Sequence, residues 1–198
     1  MGFRFFATGL MVAVLSSGAF QALAMDAASV PEAKRTTLGL YLGSEEVPGF
    51  LSPLQGKALF LDVRTPAEVA LVGMAQLADA NVPILLGPSS TFDEVKGTFK
   101  LAPNPDFLAE AERRLAGKGL TKDDVVVVMC RSGDRSPIAA NALAKAGFSH
   151  VWSVVDGFEG DLAKDGPDAG HRVVNGWKNK GLPWGYRLDK AKMYQAAE

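Results

Sequence analysis

Cysteine is almost absent from this sequence: of 198 residues a single one, Cys130, carries a thiol. One thiol leaves no intrachain disulfide to staple the fold, and no cysteine near the N-terminus to carry a lipid anchor. Histidine is nearly as scarce. His150 and His171 stand apart, without metal-ligand spacing to Cys130, so they read as ordinary surface or hydrogen-bonded residues, and no metal and no cofactor is expected. Charge of one sign is nowhere concentrated: 21 basic residues face 22 acidic ones, with no block able to follow a phosphate backbone or an anionic membrane. Nucleic acid is therefore not an expected partner. Internal repeats and low-complexity tracts are also lacking, and with 47% hydrophobic and 22% charged residues the chain suits one globular α/β domain with a real core.

The beginning of the chain stands apart from that domain. Arg4, the apolar stretch 5–15 and the small-x-small sequence Ala22-Leu23-Ala24 predict a signal peptide over residues 1–24, and with it a periplasmic or secreted protein. An uncleaved anchor is the rival reading, but Ser16, Ser17, Gly18 and Gln21 interrupt the roughly 20 apolar residues that a spanning helix needs. No stable membrane insertion is expected after cleavage. Taking Arg4 from the 21 basic residues leaves 20 against 22 acidic ones, so the mature chain stays mildly acidic. Exported proteins commonly use cysteines in pairs, whereas Cys130 is unpaired. A buried thiol acting as a small hydrophobe is the common fate of a lone cysteine, so its neighbours decide what it is for.

Residues 25–37 are small, charged and turn-rich and predict a flexible leader; the domain is expected over 38–184 and a tail over 185–198. Residues 40–42 are a short strand candidate, followed by a helical turn capped by Ser44 that Pro48 and Gly49 are expected to interrupt. The nearly unbroken apolar run 58–63 predicts a strand covered on both faces. Thr65, Pro66 and Glu68 then supply an N-cap, a first-turn proline and an acidic third position for a helix. A short strand is expected over 81–84. Residues 85–104 read as a long loop or lid, pinned to the body by Phe92 and Phe99. Phe107, Leu108, Ala111 and Leu115 recur at helical spacing and predict a helix over 105–116 that ends at Gly117 and Gly119. The β-branched run 125–129 is the best central strand, 138–146 an alanine-rich helix, and 151–155 the last strand. Alternating strands and helices argue for a parallel sheet with helices on both faces. Trp152, Trp177 and Trp184 read as core or tail anchors rather than ligand platforms.

In such sheets the reacting groups collect beyond the carboxyl ends of the strands, which is where Cys130 falls. It is followed by Arg131-Ser132-Gly133-Asp134-Arg135-Ser136-Pro137. Gly133 permits a tight curl, Ser136 suits an N-cap and Pro137 the first helical position, so the strand is expected to arc directly into a helix. Successive backbone N–H groups in such an arc form an anion-binding nest, reinforced by the helix dipole. That geometry, with Arg131 and Arg135 close by, favours a thiolate or a persulfide anion at Cys130.

The loop Cys130-Arg131-Ser132-Gly133-Asp134-Arg135-Ser136 resembles the active loop of single-domain rhodaneses, Cys-x-x-Gly-x-Arg followed by Ser or Thr. Leu61-Asp62-Val63-Arg64-Thr65-Pro66-x-Glu68 is similar to the family's Asp-x-Arg-x-x-x-Glu motif, Asn81-Val82-Pro83 to its Asn-Ile-Pro segment, and Asp156-Gly157-Phe158 to its glycine turn. The resemblance implies a rhodanese-like three-layer α/β/α fold around a mainly parallel sheet of about five strands. It also implies a sulfurtransferase reaction, in which Cys130 takes sulfur from a small anion such as thiosulfate and passes it to cyanide or a thiol, with a periplasmic acceptor protein as a further partner. Backbone N–H groups of Arg131, Ser132, Gly133, Asp134 and Arg135 are then expected to hold the persulfide. Arg131 is expected to steer the donor and Arg135 to brace the loop against Asp62 or Glu68. Asp62, Arg64 and Glu68 are expected to be structural: a carboxylate at a strand end, and an i,i+4 pair.

Two departures stand out. Where the family has Gly-His-Ile, this sequence has Gly73-Met74 and no histidine, and an extra segment, 161–175, separates the glycine turn from Trp177. Both bear on the rim of the site, and so on the substrate, more than on the chemistry. Two readings compete with turnover. A carrier that delivers sulfur to one dedicated protein keeps the same loop, whereas a phosphatase or arsenate reductase needs Cys-x5-Arg around a tetrahedral oxyanion, and here only four residues separate Cys130 from Arg135.

Overall fold

The computed structural model describes residues 25–87, 90–95 and 97–195, so the expected signal peptide, 1–24, lies outside the described residues. The principal elements in chain order are β1 (Tyr41–Leu42), α1 (Val47–Leu51), β2 (Ala58–Asp62), α2 (Pro66–Val72), β3 (Met74–Ala75), β4 (Ala80–Asn81), β5 (Leu85–Leu86), β6 (Phe92–Asp93) and β7 (Thr98–Phe99). They continue with β8 (Ala102–Pro103), α3 (Phe107–Gly117), β9 (Val125–Met129), α4 (Ser136–Lys145), β10 (His150–Val154) and β11 (Trp184–Gly185).

Five strands form one sheet in the order β1-β10-β9-β2-β4, each paired parallel to its neighbours. The β-branched run Val125–Met129 is the middle strand and is closed to water from its second residue onward. Side chains alternate across it. Val126, Val128 and Cys130 pack with Leu59, Leu61, Phe107, Ala111, Ala139 and Leu143 on the face covered by α3 and α4. Val127 and Met129 pack with Phe60, Val47, Phe50, Val69 and Trp152 on the face covered by α1 and α2. This is the three-layer α/β/α arrangement, with a core on each side of the sheet; each fully buried aliphatic or aromatic side chain contributes roughly 1.5–3 kcal/mol. The same parity places Cys130 on the α3/α4 side, directly at the end of the central strand.

Several expectations about single elements need correction. Pro48 falls in the first turn of α1, where its missing N–H costs nothing, so the helix continues to Leu51 instead of stopping. The strand expected over 81–84 forms a ladder only at Ala80–Asn81, beyond which the N–H groups of Val82 and Ile84 still donate to the carbonyls of Asp62 and Val63. Residues 85–104 are not a plain loop: β5 pairs with β8 and β6 with β7, both antiparallel. Phe92 and Phe99 meet edge to face at 5.3 Å and stay 42% and 50% exposed, so they pin the hairpin to itself rather than to the body. Leu108 is a wet-face residue of α3, since Phe107, Ala111 and Leu115 fill the buried stripe. The segment 25–37 is docked rather than loose: Val30 is buried with Tyr41 and Val155, and Lys34 donates to the Val155 carbonyl at 2.9 Å and to Asp161 at 3.0 Å.

Candidate active site

The C-terminal ends of β2 and β9 lie side by side, with Asp62 opposite Met129, so the residue after β9 emerges next to the residues after β2. From there the chain curls through residues 131–135 into α4. Gly133, at φ +84°, makes the curl possible; a Cβ there would overlap the Val155 carbonyl, so the loop rests directly on the end of β10. Phe158 N–H donates to the Cys130 carbonyl and Glu159 N–H to the Arg131 carbonyl, each at 2.8 Å, which closes the loop from its other side. Gly157 permits that approach, because its Cβ position lies 2.6 Å from the Arg131 carbonyl carbon.

Within the curl the N–H groups of Gly133 and Arg135 point at the Cys130 sulfur, at 3.2 and 3.3 Å. Two converging amide donors at the start of a helix stabilise negative charge on that sulfur. Cys130 itself is 1% exposed, so its sulfur lies at the floor of the loop and is approached through the ring of amides. Ser136 does not act as the N-cap. Arg135 occupies that position, Ser136 is the first helical residue, and its Oγ accepts the Cys130 N–H at 2.9 Å. The serine is consumed in fixing the reactive residue's own backbone. Ser132 Oγ donates to Asp134 Oδ2 at 2.9 Å, while Arg131 projects into solvent.

The loop is anchored by charge. Arg135 forks onto Glu68, with Nη1–Oε2 2.7 Å and Nη2–Oε1 2.5 Å, so of the two braces expected for it the structure forms the one to Glu68. Glu68 also accepts from the N–H and hydroxyl of Thr65 at 3.0 Å, completing the capping box of α2. Burial pushes the Glu68 carboxyl up, but Arg135 and Thr65 outweigh it and hold the pKa at about 2. Burial likewise disfavours the Arg135 cation, yet Glu68 first, with Cys130 and Asp62 adding to it, raises its pKa above the ordinary arginine value.

The expected i,i+4 pair between Arg64 and Glu68 does not form. Arg64 turns inward and is fully buried against Asp62, with Nε–Oδ1 2.9 Å and Nη2–Oδ2 2.5 Å, and also donates to the Gly73 carbonyl at 2.8 Å. Its guanidinium stacks 3.9 Å from the Phe158 ring, linking the end of β2 to the turn that supports the cysteine loop. Glu68 is thereby left for Arg135.

Three contributors escaped sequence reasoning. Asn81 ties Asp62 and Arg64 together through their carbonyls at 3.0 and 2.7 Å. Asp156 accepts from Ser44 N–H, Ser44 Oγ and Gly176 N–H, joining β1 to the base of the 161–175 segment. Arg172, inside that segment, donates to the Gly160 carbonyl at 2.6 Å. Asn81 and Asp156 sit within quoted motifs but carry no periodic signal of their own; Arg172 lies in an insertion that offers none. His150 and His171 are both exposed.

Comparison with known proteins agrees with this geometry. The model of the rhodanese-like domain matches residues 50–164. Thiosulfate sulfurtransferase 16, chloroplastic, of Arabidopsis thaliana is 35% identical over 107 residues, covering 54% of this chain and 75% of that protein. An uncharacterized protein of Rickettsia prowazekii, RP600, is 30% identical over 133 residues, covering 66% of this chain and 85% of the relative. The crystal structure of Rv0390 from M. tuberculosis superposes with a TM-score of 0.56 at 31% identity, covering 74% of this chain and 97% of that one. A parallel α/β/α sheet that delivers one cysteine into an amide-lined loop defines the class. The chain belongs to the rhodanese-like domain family, which includes sulfurtransferases.

Proposed function

We propose that this protein is an exported sulfurtransferase that carries sulfane sulfur as a persulfide on Cys130. The observation that carries the reading is the convergence of the Gly133 and Arg135 N–H groups on the cysteine sulfur. In the first half-reaction the Cys130 thiolate attacks the outer sulfur of a donor such as thiosulfate; the donor's S–S bond breaks, and sulfite leaves with the electron pair. In the second, cyanide or a thiolate attacks the terminal sulfur of the persulfide, and the Cys130 thiolate is released unchanged. No net redox equivalent is needed, and the protein's contribution is fixed donors aimed at sulfur in both charged states.

The loop's size supports sulfur over phosphate. Four residues separate Cys130 from Arg135, and the Arg135 fork is committed to Glu68 rather than turned toward a tetrahedral oxyanion. The exposure of Arg131 supports a role for it in guiding an anionic donor. Thiocyanate production from thiosulfate and cyanide tests the reading. The wild type is expected to turn over and Cys130→Ser is expected to be inactive. Hydrolysis of an aryl phosphate that depends on Cys130, without sulfur transfer, would overturn it.

A further inference from the structure

The 161–175 segment is an ordered loop with a fixed base. Asn175 accepts the Asp161 N–H at 2.8 Å and returns a bond to the Asp161 carboxylate at 3.0 Å. Asn179 donates to the carbonyls of Glu159, Arg172 and Asn175, and the two limbs pair at Leu162 and Arg172. Between this segment, the docked N-terminal stretch and the cysteine loop runs an open groove of ≈ 910 Å³. Lys34 lines it from the first, Ser132 and Asp134 from the cysteine loop, and Leu162, Arg172 and Val174 from the insertion. That volume lies in the range of organic ligands, roughly 300–1,000 Å³, and far exceeds what a small sulfur oxyanion fills. Leu162 and Val174 give it apolar walls.

The charges in the groove are unequally committed. Lys34 is spent on Asp161 and the Val155 carbonyl. Arg172 uses one nitrogen on the Gly160 carbonyl, and among the described residues neither it nor Arg131 takes part in an ion pair. The two arginines are linked through the turn, since Gly160 also donates its N–H to the Arg131 carbonyl at 3.3 Å. Burial first, and then the facing charge of Arg131, lower the pKa of the half-buried Arg172, and the carboxylates of Glu159, Asp134 and Asp161 offset them only in part.

We infer that Arg172 anchors the carboxylate of an organic thiol that lies along this groove and collects sulfur from Cys130. This rests on the sulfurtransferase reading and names the acceptor class for the same site. The transfer is balanced: the acceptor thiolate attacks the terminal sulfur of the Cys130 persulfide, the S–S bond to Cys130 breaks, and an organic persulfide leaves as the cysteine thiolate returns. Arg172 touches the acceptor's tail, so its effect belongs in acceptor binding.

Glutathione and its diethyl ester share one thiol and nearly one size but differ in carboxylate charge, which makes them suitable probes. The full protein is loaded from thiosulfate and discharged with each, using wild type, Arg172→Gln and Arg172→Lys. Loss of one charge-assisted contact predicts a KM for glutathione about 10-fold higher in Arg172→Gln with kcat nearly unchanged, while KM for the ester moves less than about twofold. Arg172→Lys should recover part of the loss. Equal changes for the two thiols would mean that Arg172 only holds the insertion, and no change for glutathione would remove the subsite; either result overturns the inference. If the wild type takes up no sulfur from thiosulfate or polysulfide, the parent reading fails and this one falls with it.

Discussion

Replacing Glu68 by Gln tests how the cysteine loop is held. The Glu68 carboxylate accepts two bonds from Arg135 and two from Thr65, and both members of the ion pair are largely closed to water, at 22% and 12% side-chain exposure. A carboxyl lowered from 4.5 to about 2 on folding contributes about 3 kcal/mol of stability at neutral pH. That matches the lower end of the roughly 3–5 kcal/mol cost of removing one partner of a buried pair. The direction with pH follows from the lowered value: the contribution is complete above 4.5 and is lost as pH falls toward about 2. Glu68→Gln should therefore be about 3 kcal/mol less stable than wild type in denaturant unfolding at pH 7, with the gap shrinking to about half by pH 3. A gap below about 1 kcal/mol at pH 7, or one that does not change between pH 7 and pH 3, would refute the argument that this pair clamps the loop.

Other substitutions address separate supports. Gly133→Ala meets both a positive φ and the Val155 carbonyl. The φ alone costs roughly 1–2 kcal/mol, so we expect a larger loss in thermal unfolding together with loss of sulfur loading, because the amides must swing off the sulfur. Ser136→Ala leaves the buried Cys130 N–H without its acceptor; a destabilisation of about 1–3 kcal/mol by denaturant titration is expected, and no measurable loss would show that the serine is dispensable. Arg64→Met strands the buried Asp62 carboxylate, which should cost about 3–5 kcal/mol in denaturant unfolding at pH 7.

Much of this architecture is legible in the sequence because it rests on local signals. The run 125–129 has no polar residue to face solvent, and it is the central strand. Thr65, Pro66 and Glu68 form the capping box that their spacing predicts. Gly133 adopts the positive φ that the tight curl requires. What the sequence concealed depends on partners distant along the chain. Ser136 looks like a cap, but the N–H it serves is that of Cys130, six residues earlier. Arg64 and Glu68 have helical spacing, but the two carboxylates choose their arginines by burial: Asp62 takes the inward guanidinium and Glu68 the one arriving from α4. Residues 25–37 lack an apolar period, yet Val30, buried with Tyr41 and Val155, and Lys34, bonded to the Val155 carbonyl and Asp161, seat them. The hairpins within 85–104 are two-residue pairings, too short for any periodicity to announce.

The most direct test of the account is intact-protein mass after brief exposure to thiosulfate, with wild type beside Cys130→Ser, followed by cyanide. The account predicts one added sulfur atom on the wild type alone, removed by cyanide with the original mass restored. A wild type that gains no sulfur from thiosulfate or polysulfide, or a Cys130→Ser variant that gains as much, contradicts it.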